Sequence, residues 1–420
     1  MKVTRTRIVI KPDNKRVFLR PFEMNAQRVN KIVTRILSLS DRGMIKELKT
    51  IFKDFSGRHR EIKQLYLDRY KQLKKYLTND QVNENGKLLI GAYFSNEYSV
   101  EAAALFNPSI VWAPDQTGVT KGSKRFILSL RAVGEGHISS IIFTSGIINE
   151  NNIIDLEKRS KFVTNPQKIN DNLTGNNYLY EIEYSREIPL SERIIFPHSP
   201  SESNGIEDAR FVEFYDDYGE RTYYATYTAY DGMTIHPQIL ETKDFMHFKI
   251  SSLKGSEVKN KGMALFPRKI NGNYAMLSRQ DNENIYLMYS DQLYSWDNKE
   301  LIVEPEYSWE FIQLGNCGSP IETDEGWIVI SHSVGAMRQY TIGALLLDKD
   351  NLSKIIGRLS KPLLVAGKKE REGYVPNVVY SCGGIINNGE LIIPYAMSDY
   401  TCSFAKVNLK ELIAEIKSIH

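Results

Sequence analysis

Glu207 and Asp208 precede Arg210, with only Ala209 between, in Asn204-Gly205-Ile206-Glu207-Asp208-Ala209-Arg210-Phe211-Val212-Glu213. A neighbouring cation favours an ionised carboxylate, while desolvation favours the protonated form. A carboxyl under both influences can be tuned toward neutral pH and act as an acid or base. The apolar run that follows reads as a strand, which places the charged residues at its start. Taken alone, the string also fits a surface turn closed by a local ion pair.

Other groups able to do chemistry recur in polar clusters along the chain. They include Arg131, Glu135 and His137, then Asp231, then Arg279 and Asp281, then His332, Arg338 and Tyr340, and finally Asp399. Arg268 follows in Ala264-Leu265-Phe266-Pro267-Arg268-Lys269. Carboxylates and Asn accept sugar hydroxyl hydrogens, and aromatic faces pack on sugar rings. Arg, His and Tyr together suit an anion such as phosphate. The combination fits glycosyl transfer to or from phosphate. No HExxH, Walker or GxSxG string is present. Gly315-Asn316-Cys317-Gly318-Ser319-Pro320 lacks the Lys-Ser/Thr ending of a phosphate loop and reads as a turn entering a strand.

The clusters need elements that bring them together. From about residue 90 the chain alternates short Ile-, Val-, Tyr- and Phe-rich runs with Gly, Asn and Asp turns. Five strand pairs are expected. They are Lys124–Leu130 with Ile138–Phe143, Thr222–Thr228 with Gln238–Glu241, Asn273–Leu277 with Ile285–Tyr289, Gly326–Ser331 with Thr341–Leu347, and Glu390–Tyr395 with Ser403–Val407. Thr222, Asn273, Gly326 and Glu390 follow one another at steps of roughly fifty to sixty residues, a period typical of propeller blades. The step from Lys124 to Thr222 is about twice as long and holds an insertion. Such spacing suggests radial repetition in a five-bladed β-propeller, with a β-sandwich pair as the other arrangement. In a propeller the segments 131–137, 229–235, 278–284, 332–340 and 397–400 would meet at one end of the channel.

The first ninety residues differ in character. Val3–Ile10 and Arg16–Arg20 read as short strands. Between 25 and 78 Gly and Pro almost vanish, and Ile62, Leu65, Tyr66, Tyr70, Leu73 and Leu77 mark one helical face, with a break at Ser56-Gly57-Arg58. A helical hairpin over 1–90 and a propeller over 91–420 are therefore expected. Residues 1–80 hold 21 Lys and Arg against 8 Asp and Glu, and the remainder 33 against 43. The basic helices are expected to pack on the body or on another subunit, giving a homo-oligomer, rather than to bind nucleic acid.

The 420 residues carry 42% hydrophobic and 25% charged residues. That is ordinary for a soluble globular protein. No membrane span or signal peptide is evident. Cys317, Cys382 and Cys402 form neither a disulfide framework nor a CxxC metal pair, so a reducing, cytoplasmic setting without metal or cofactor is expected.

Several strings resemble glycoside hydrolase family 130, the β-mannoside phosphorylases and related β-mannosidases. They are Phe106-Asn107-Pro108, Gly205–Arg210, Ala264–Lys269, Tyr274–Arg279, Gly326–His332, Gly343–Asp348, Val375–Tyr380 and Tyr395–Asp399. The resemblance covers roughly residues 100–410 and implies a five-bladed propeller. It implies that Asp208 is the general acid, protonating the glycosidic oxygen through the mannose 3-hydroxyl. Phosphate would attack from the opposite face and give α-mannose 1-phosphate with inversion, unlike the inverting pair in which a second carboxylate activates water. Asn107, Arg131 and Asp399 would contact the mannosyl unit, with Asp231 placed beside them. Arg268, Arg279, His332 and Tyr340 are the phosphate candidates. Ala209 stands where the family often has Pro, and Arg131–His137 and the helical extension look divergent. An inverting β-mannosidase using Glu135, Asp231 or Asp281 as base, and a non-catalytic sugar-binding propeller, are the alternatives.

Overall fold

The computed structural model describes residues 1–77, 81–172 and 178–418. The chain forms two compact units. One comprises Met1–Pro12, Ala103–Arg159 and Asn165–His420, and the other Asp13–Ala102 and Ser160–Thr164. These differ from a division at residue 90 because strand pairing crosses that point at both ends. Val3–Arg5 pairs with the strand Thr401–Asn408, and Val17–Pro21 pairs with Ser95–Ser99.

Among its described residues the smaller unit carries four α-helices, more than the expected hairpin. They are α1 (Ala26–Leu37), α2 (Asp41–Phe55), α3 (Ile62–Leu73) and α4 (Glu84–Tyr93). Asn25, Ser40 and Asn83 accept hydrogen bonds from the backbone N–H groups of Arg28, Gly43 and Gly86, so each caps a helix start. The Ser40 cap divides what the apolar periodicity alone joins. Val29, Val33, Ile36, Met44, Leu48, Ile62, Tyr66, Tyr70 and Leu73 are buried together with Leu89 and Ile90. Leu65, expected on this face, is exposed, and Ile8 and Val9 lie outside the first strand.

Among its described residues the larger unit is all-β apart from short 3₁₀ turns and one α-helix, α5 (Leu409–Lys417). Its described strands form five antiparallel sheets of four to six strands. All five expected strand pairs are hydrogen-bonded neighbours. Ala104–Trp112, Ile206–Tyr215, Ala264–Leu265, Gln313–Asn316 and Val379–Tyr380 each lie at one edge of a sheet. Val3–Arg5 completes the last sheet, so the two ends of the chain close it.

Apolar side chains join each sheet to the next. Ile127, Phe143, Phe211 and Tyr223 fill the space between the first and second. Val212, Phe214, Leu265 and Met276 join the second and third, and Phe266, Leu277, Trp327 and Val329 the third and fourth. Ile328, Ile330, Ile393 and Ala405 join the fourth and fifth. Phe126 and Phe404, 6.0 Å apart, then join the first to the fifth. Removing one such ring, as in Phe143→Ala, is expected to cost about 3–5 kcal/mol.

Candidate functional site

The strand Ala104–Trp112 skips register between Phe106 and Ser109, and Ile206–Tyr215 does so between Glu207 and Arg210. Each break is a β-bulge that turns one residue out of the ladder. Asn107 stands at φ 49° and Asp208 at φ 54°, in the left-handed region. Small polar residues tolerate that region better than branched ones. The two bulges aim their side chains at each other, and Asn107 Nδ2 donates to Asp208 Oδ1 at 2.7 Å.

Around this pair lies a cavity of about 500 Å³. Its size is within the usual range for small-ligand sites. All five sheets and their loops contribute to its wall. Arg131 Nη2 donates to Glu207 Oε1 at 2.8 Å, and its Nη1 lies 3.6 Å from Asp208 Oδ1. Lys261 Nζ donates to the other Glu207 oxygen at 2.5 Å. Arg210 is fully buried and donates to the carbonyls of Cys317 and Asp208 and to the Tyr380 hydroxyl.

One side of the cavity holds cations and an imidazole with unmet hydrogen-bonding capacity. Arg279 Nε and both ring nitrogens of His332 are buried without a hydrogen-bond partner, as are Arg131 Nε and Asn107 Oδ1. Each such atom costs roughly 1–3 kcal/mol unless a ligand satisfies it. The backbone makes deliberate room here. A Cβ at Gly315 would lie 2.6 Å from His332 Nε2, and Gly262 at φ 92° passes equally close to Arg279. The His332 ring packs against those of Tyr380 and Tyr340, at 4.9 and 6.3 Å.

Charge follows from this arrangement. Burial opposes ionisation of Asp208, but Arg131, Arg210, Lys261 and the Asn107 hydrogen bond outweigh it and hold the carboxyl below its ordinary range. Asp399 behaves oppositely. Burial, then repulsion from Asp208, push its carboxyl up to about 6. Burial, then Arg279 and Arg210, drive the His332 imidazole well below its usual value, so it is neutral at pH 7. Burial likewise pulls the Arg279 pKa down. An anion beside these groups would relieve the repulsion between Arg210 and Arg279.

Of the residues singled out from sequence, Asp208, Asn107, Arg131, Asp399, Arg279, His332 and Tyr340 all line this cavity. Arg268 does not. Its guanidinium is bidentate to Glu322 and stacks on Trp327, lining a separate cavity with Trp112, Tyr215 and Pro267. Arg268 follows the strand Ala264–Leu265, which runs from the loop of Lys261 at one cavity to Arg268 at the other. Asp231 is also elsewhere. It accepts from the backbone N–H groups of Met233 and Thr234 and contacts His236, so it closes its own hairpin turn.

Lys261, Glu207, Arg338 and Tyr380 line the cavity without having been assigned a role there. Glu207 and Tyr380 lie inside strings already marked as informative. Lys261 stands three residues before Ala264–Lys269, where a basic loop residue carries little signal of its own. Among the described residues no His, Cys, Asp or Glu group has metal-binding geometry. No described helix is long and apolar enough to cross a membrane.

A polar cavity in an all-β body, bringing the carboxyls of Asp208 and Asp399 together with the unpartnered nitrogens of Arg279 and His332, defines a site for a hydroxyl-rich ligand together with an anion. The beta-1,4-mannooligosaccharide phosphorylase profile matches residues 179–418, and the chain belongs to glycoside hydrolase family 130. It is 29% identical over 278 residues to a 1,2-beta-oligomannan phosphorylase of Thermoanaerobacter sp. (strain X514), covering 64% of this chain and 91% of that protein. It is 26% identical over 261 residues to a beta-1,2-mannobiose phosphorylase of Listeria innocua, covering 58% and 72%. A solved structure of beta-1,2-mannobiose phosphorylase from Listeria innocua, with beta-1,2-mannobiose, superposes with a TM-score of 0.53 at 22% identity, covering 76% of this chain and 93% of that one. This structural likeness concerns the fold.

Proposed function

We propose that the protein is an inverting β-mannoside phosphorylase and that the five sheets of its larger unit are the blades of a closed propeller. The carrying observation is the single cavity that joins Asp208 to the unsatisfied Arg279 and His332. The relatives named as mannoside phosphorylases support the same chemistry. The contacts linking each sheet to the next, and the first to the fifth, support the propeller.

In this proposal Asn107, Arg131 and Asp399 hold the mannosyl unit. Arg279, His332, Tyr340 and Lys261 hold phosphate, and Arg268 and Asp231 have no part. A hydrogen phosphate dianion attacks the anomeric carbon as the glycosidic bond breaks. Asp208 gives a proton to the departing oxygen, and the proton lost by phosphate restores that acid. The products are α-mannose 1-phosphate and an alcohol, and no net proton is released. Asp208 rests as a carboxylate because three cations face it. A phosphate dianion bound among Lys261 and Arg279 offsets that charge and raises its proton affinity, which couples phosphate binding to acid catalysis. Phosphate needs positioning and charge compensation more than a base.

The test is turnover of β-1,2- and β-1,4-mannooligosaccharides with phosphate varied. Sugar phosphate formation should saturate with phosphate, and release of free mannose independent of phosphate would reject the proposal. The helical unit is proposed as an assembly surface. Reversing its charge by Lys→Glu changes on exposed helix faces should lower the sedimenting mass, and an unchanged mass would speak against that role.

A further inference from the structure

Two consecutive carboxylates, Glu207 and Asp208, line the same cavity. In a regular strand they would point to opposite faces. Glu207 is the last residue in register before the bulge, opposite Thr228, and Asp208 follows in the left-handed region at φ 54°. The bulge thus sets two like charges side by side, which disfavours ionisation of both. An acidic side chain at 207 therefore needs a compensating role.

Its partners point to one. Glu207 Oε1 accepts from Arg131 Nη2 at 2.8 Å, and Oε2 accepts from Lys261 Nζ at 2.5 Å. Arg131 stands on the strand Lys124–Val133, and Lys261 in the loop before Ala264–Leu265. The Arg131 guanidinium is also held 5.0 Å from the centre of the Phe106 ring. Its Nη1 stops 3.6 Å from Asp208 Oδ1, too far for a charge-assisted hydrogen bond. Asp208 accepts instead from the neutral amide of Asn107. Arg210, on its own strand, lies 3.9 Å from Asp208 and is bonded to Tyr380. The charges of Arg279 and Asp399 also reach Asp208, and burial keeps the Cys382 thiol and Tyr380 hydroxyl beside it neutral.

We infer that Glu207 is a positioning residue: it holds Arg131 and Lys261 off Asp208 and so keeps the acid free to take up a proton. This role rests on the phosphorylase reading, which makes Asp208 the acid and Lys261 a phosphate ligand. Without a carboxylate at 207, both cations can close on Asp208. A direct ion pair favours the ionised carboxyl and opposes its protonation. Phosphate gains from the same loss, because a like charge and a competitor for Lys261 are removed.

The native protein, Glu207→Gln and Glu207→Asp are compared in pH–rate profiles and by calorimetric titration of inorganic phosphate. The acid must carry its proton, so kcat falls as pH rises through the proton affinity of Asp208 in the complex. Glu207→Gln should move that basic limb down by about one pH unit, lowering kcat about tenfold beyond it, yet bind phosphate about three- to tenfold more tightly. Glu207→Asp keeps the charge and should hold the limb within about 0.3 pH unit. A merely structural loss would weaken phosphate binding and leave the limb in place. The role is overturned by a Glu207→Gln limb at the native pH, by weaker phosphate binding in that variant, or by an equal displacement in Glu207→Asp. Native turnover indifferent to phosphate would instead overturn the phosphorylase reading, and a limb displaced by Glu207→Gln in that hydrolysis would still support Glu207 as the residue that keeps Asp208 protonatable.

Discussion

Replacing Asp208 by Asn removes the resting negative charge and the capacity to carry an acidic proton while keeping the shape of the bulge. The carboxamide oxygen introduced there can still accept from Asn107. Arg131 keeps Glu207 at 2.8 Å, and Arg210 keeps the Cys317 carbonyl, the backbone carbonyl of position 208 and the Tyr380 hydroxyl. The ion pairs removed are long, 3.6 and 3.9 Å. Stability should therefore fall by less than the about 3–5 kcal/mol of stranding a buried charge. Loss of a general acid costs about 10²- to 10⁴-fold in kcat, or about 3–5.5 kcal/mol of barrier. The loss should depend on the leaving group. An oligosaccharide leaves as a basic alkoxide and needs the proton, whereas 4-nitrophenol leaves readily without it. Steady-state rates with phosphate on mannobiose and on 4-nitrophenyl β-mannoside should show the full loss on the first and at least tenfold less loss on the second. Equal losses on both substrates, or less than a tenfold loss on mannobiose with the fold intact, would refute Asp208 as the acid.

His332→Ala should raise the phosphate KM about tenfold, since a hydrogen bond of roughly 1–1.5 kcal/mol is lost, with the mannoside KM changed less than twofold; a rise in both would place His332 elsewhere. Arg268→Ala should leave kcat/KM for both substrates within twofold, because the Arg268 side chain is held by Glu322 away from the cavity. A tenfold loss would return Arg268 to the phosphate site. Asp399→Asn tests the carboxyl raised to about 6. Its folded pKa lies above its unfolded value, so the cost of ionising it in the fold accrues as pH rises from about 4 to about 6 and is constant beyond. The variant should gain stability relative to the native protein between pH 4 and pH 8, on the order of 2–3 kcal/mol, in denaturant unfolding at the two pH values. A difference independent of pH would show that Asp399 ionises freely.

The sequence made the strands legible because β-branched and aromatic runs bounded by Gly, Asn and Asp leave a period-two imprint. It did not show that Ser40 caps a new helix, since one serine in a long apolar periodicity weighs little. Asp208 and Asn107 were recognisable by their strings, but their direct hydrogen bond depends on two bulges a hundred residues apart. Arg268 and Asp231 mark the limit of inference from neighbourhood. Each lies near residues that line the cavity, yet strand direction sends Arg268 to another cavity and a hairpin turn consumes the hydrogen bonds of Asp231. Lys261 was missed for the converse reason, because its partner Glu207 is distant in sequence and adjacent only in the fold.

The most direct test follows the native protein with mannobiose and phosphate by ³¹P and ¹H magnetic resonance from the first turnovers. The predicted result is α-mannose 1-phosphate as the first sugar product, formed in step with the released alcohol and absent when phosphate is omitted. Free mannose as the first product, at a rate indifferent to phosphate, would contradict phosphorolysis and leave water as the nucleophile.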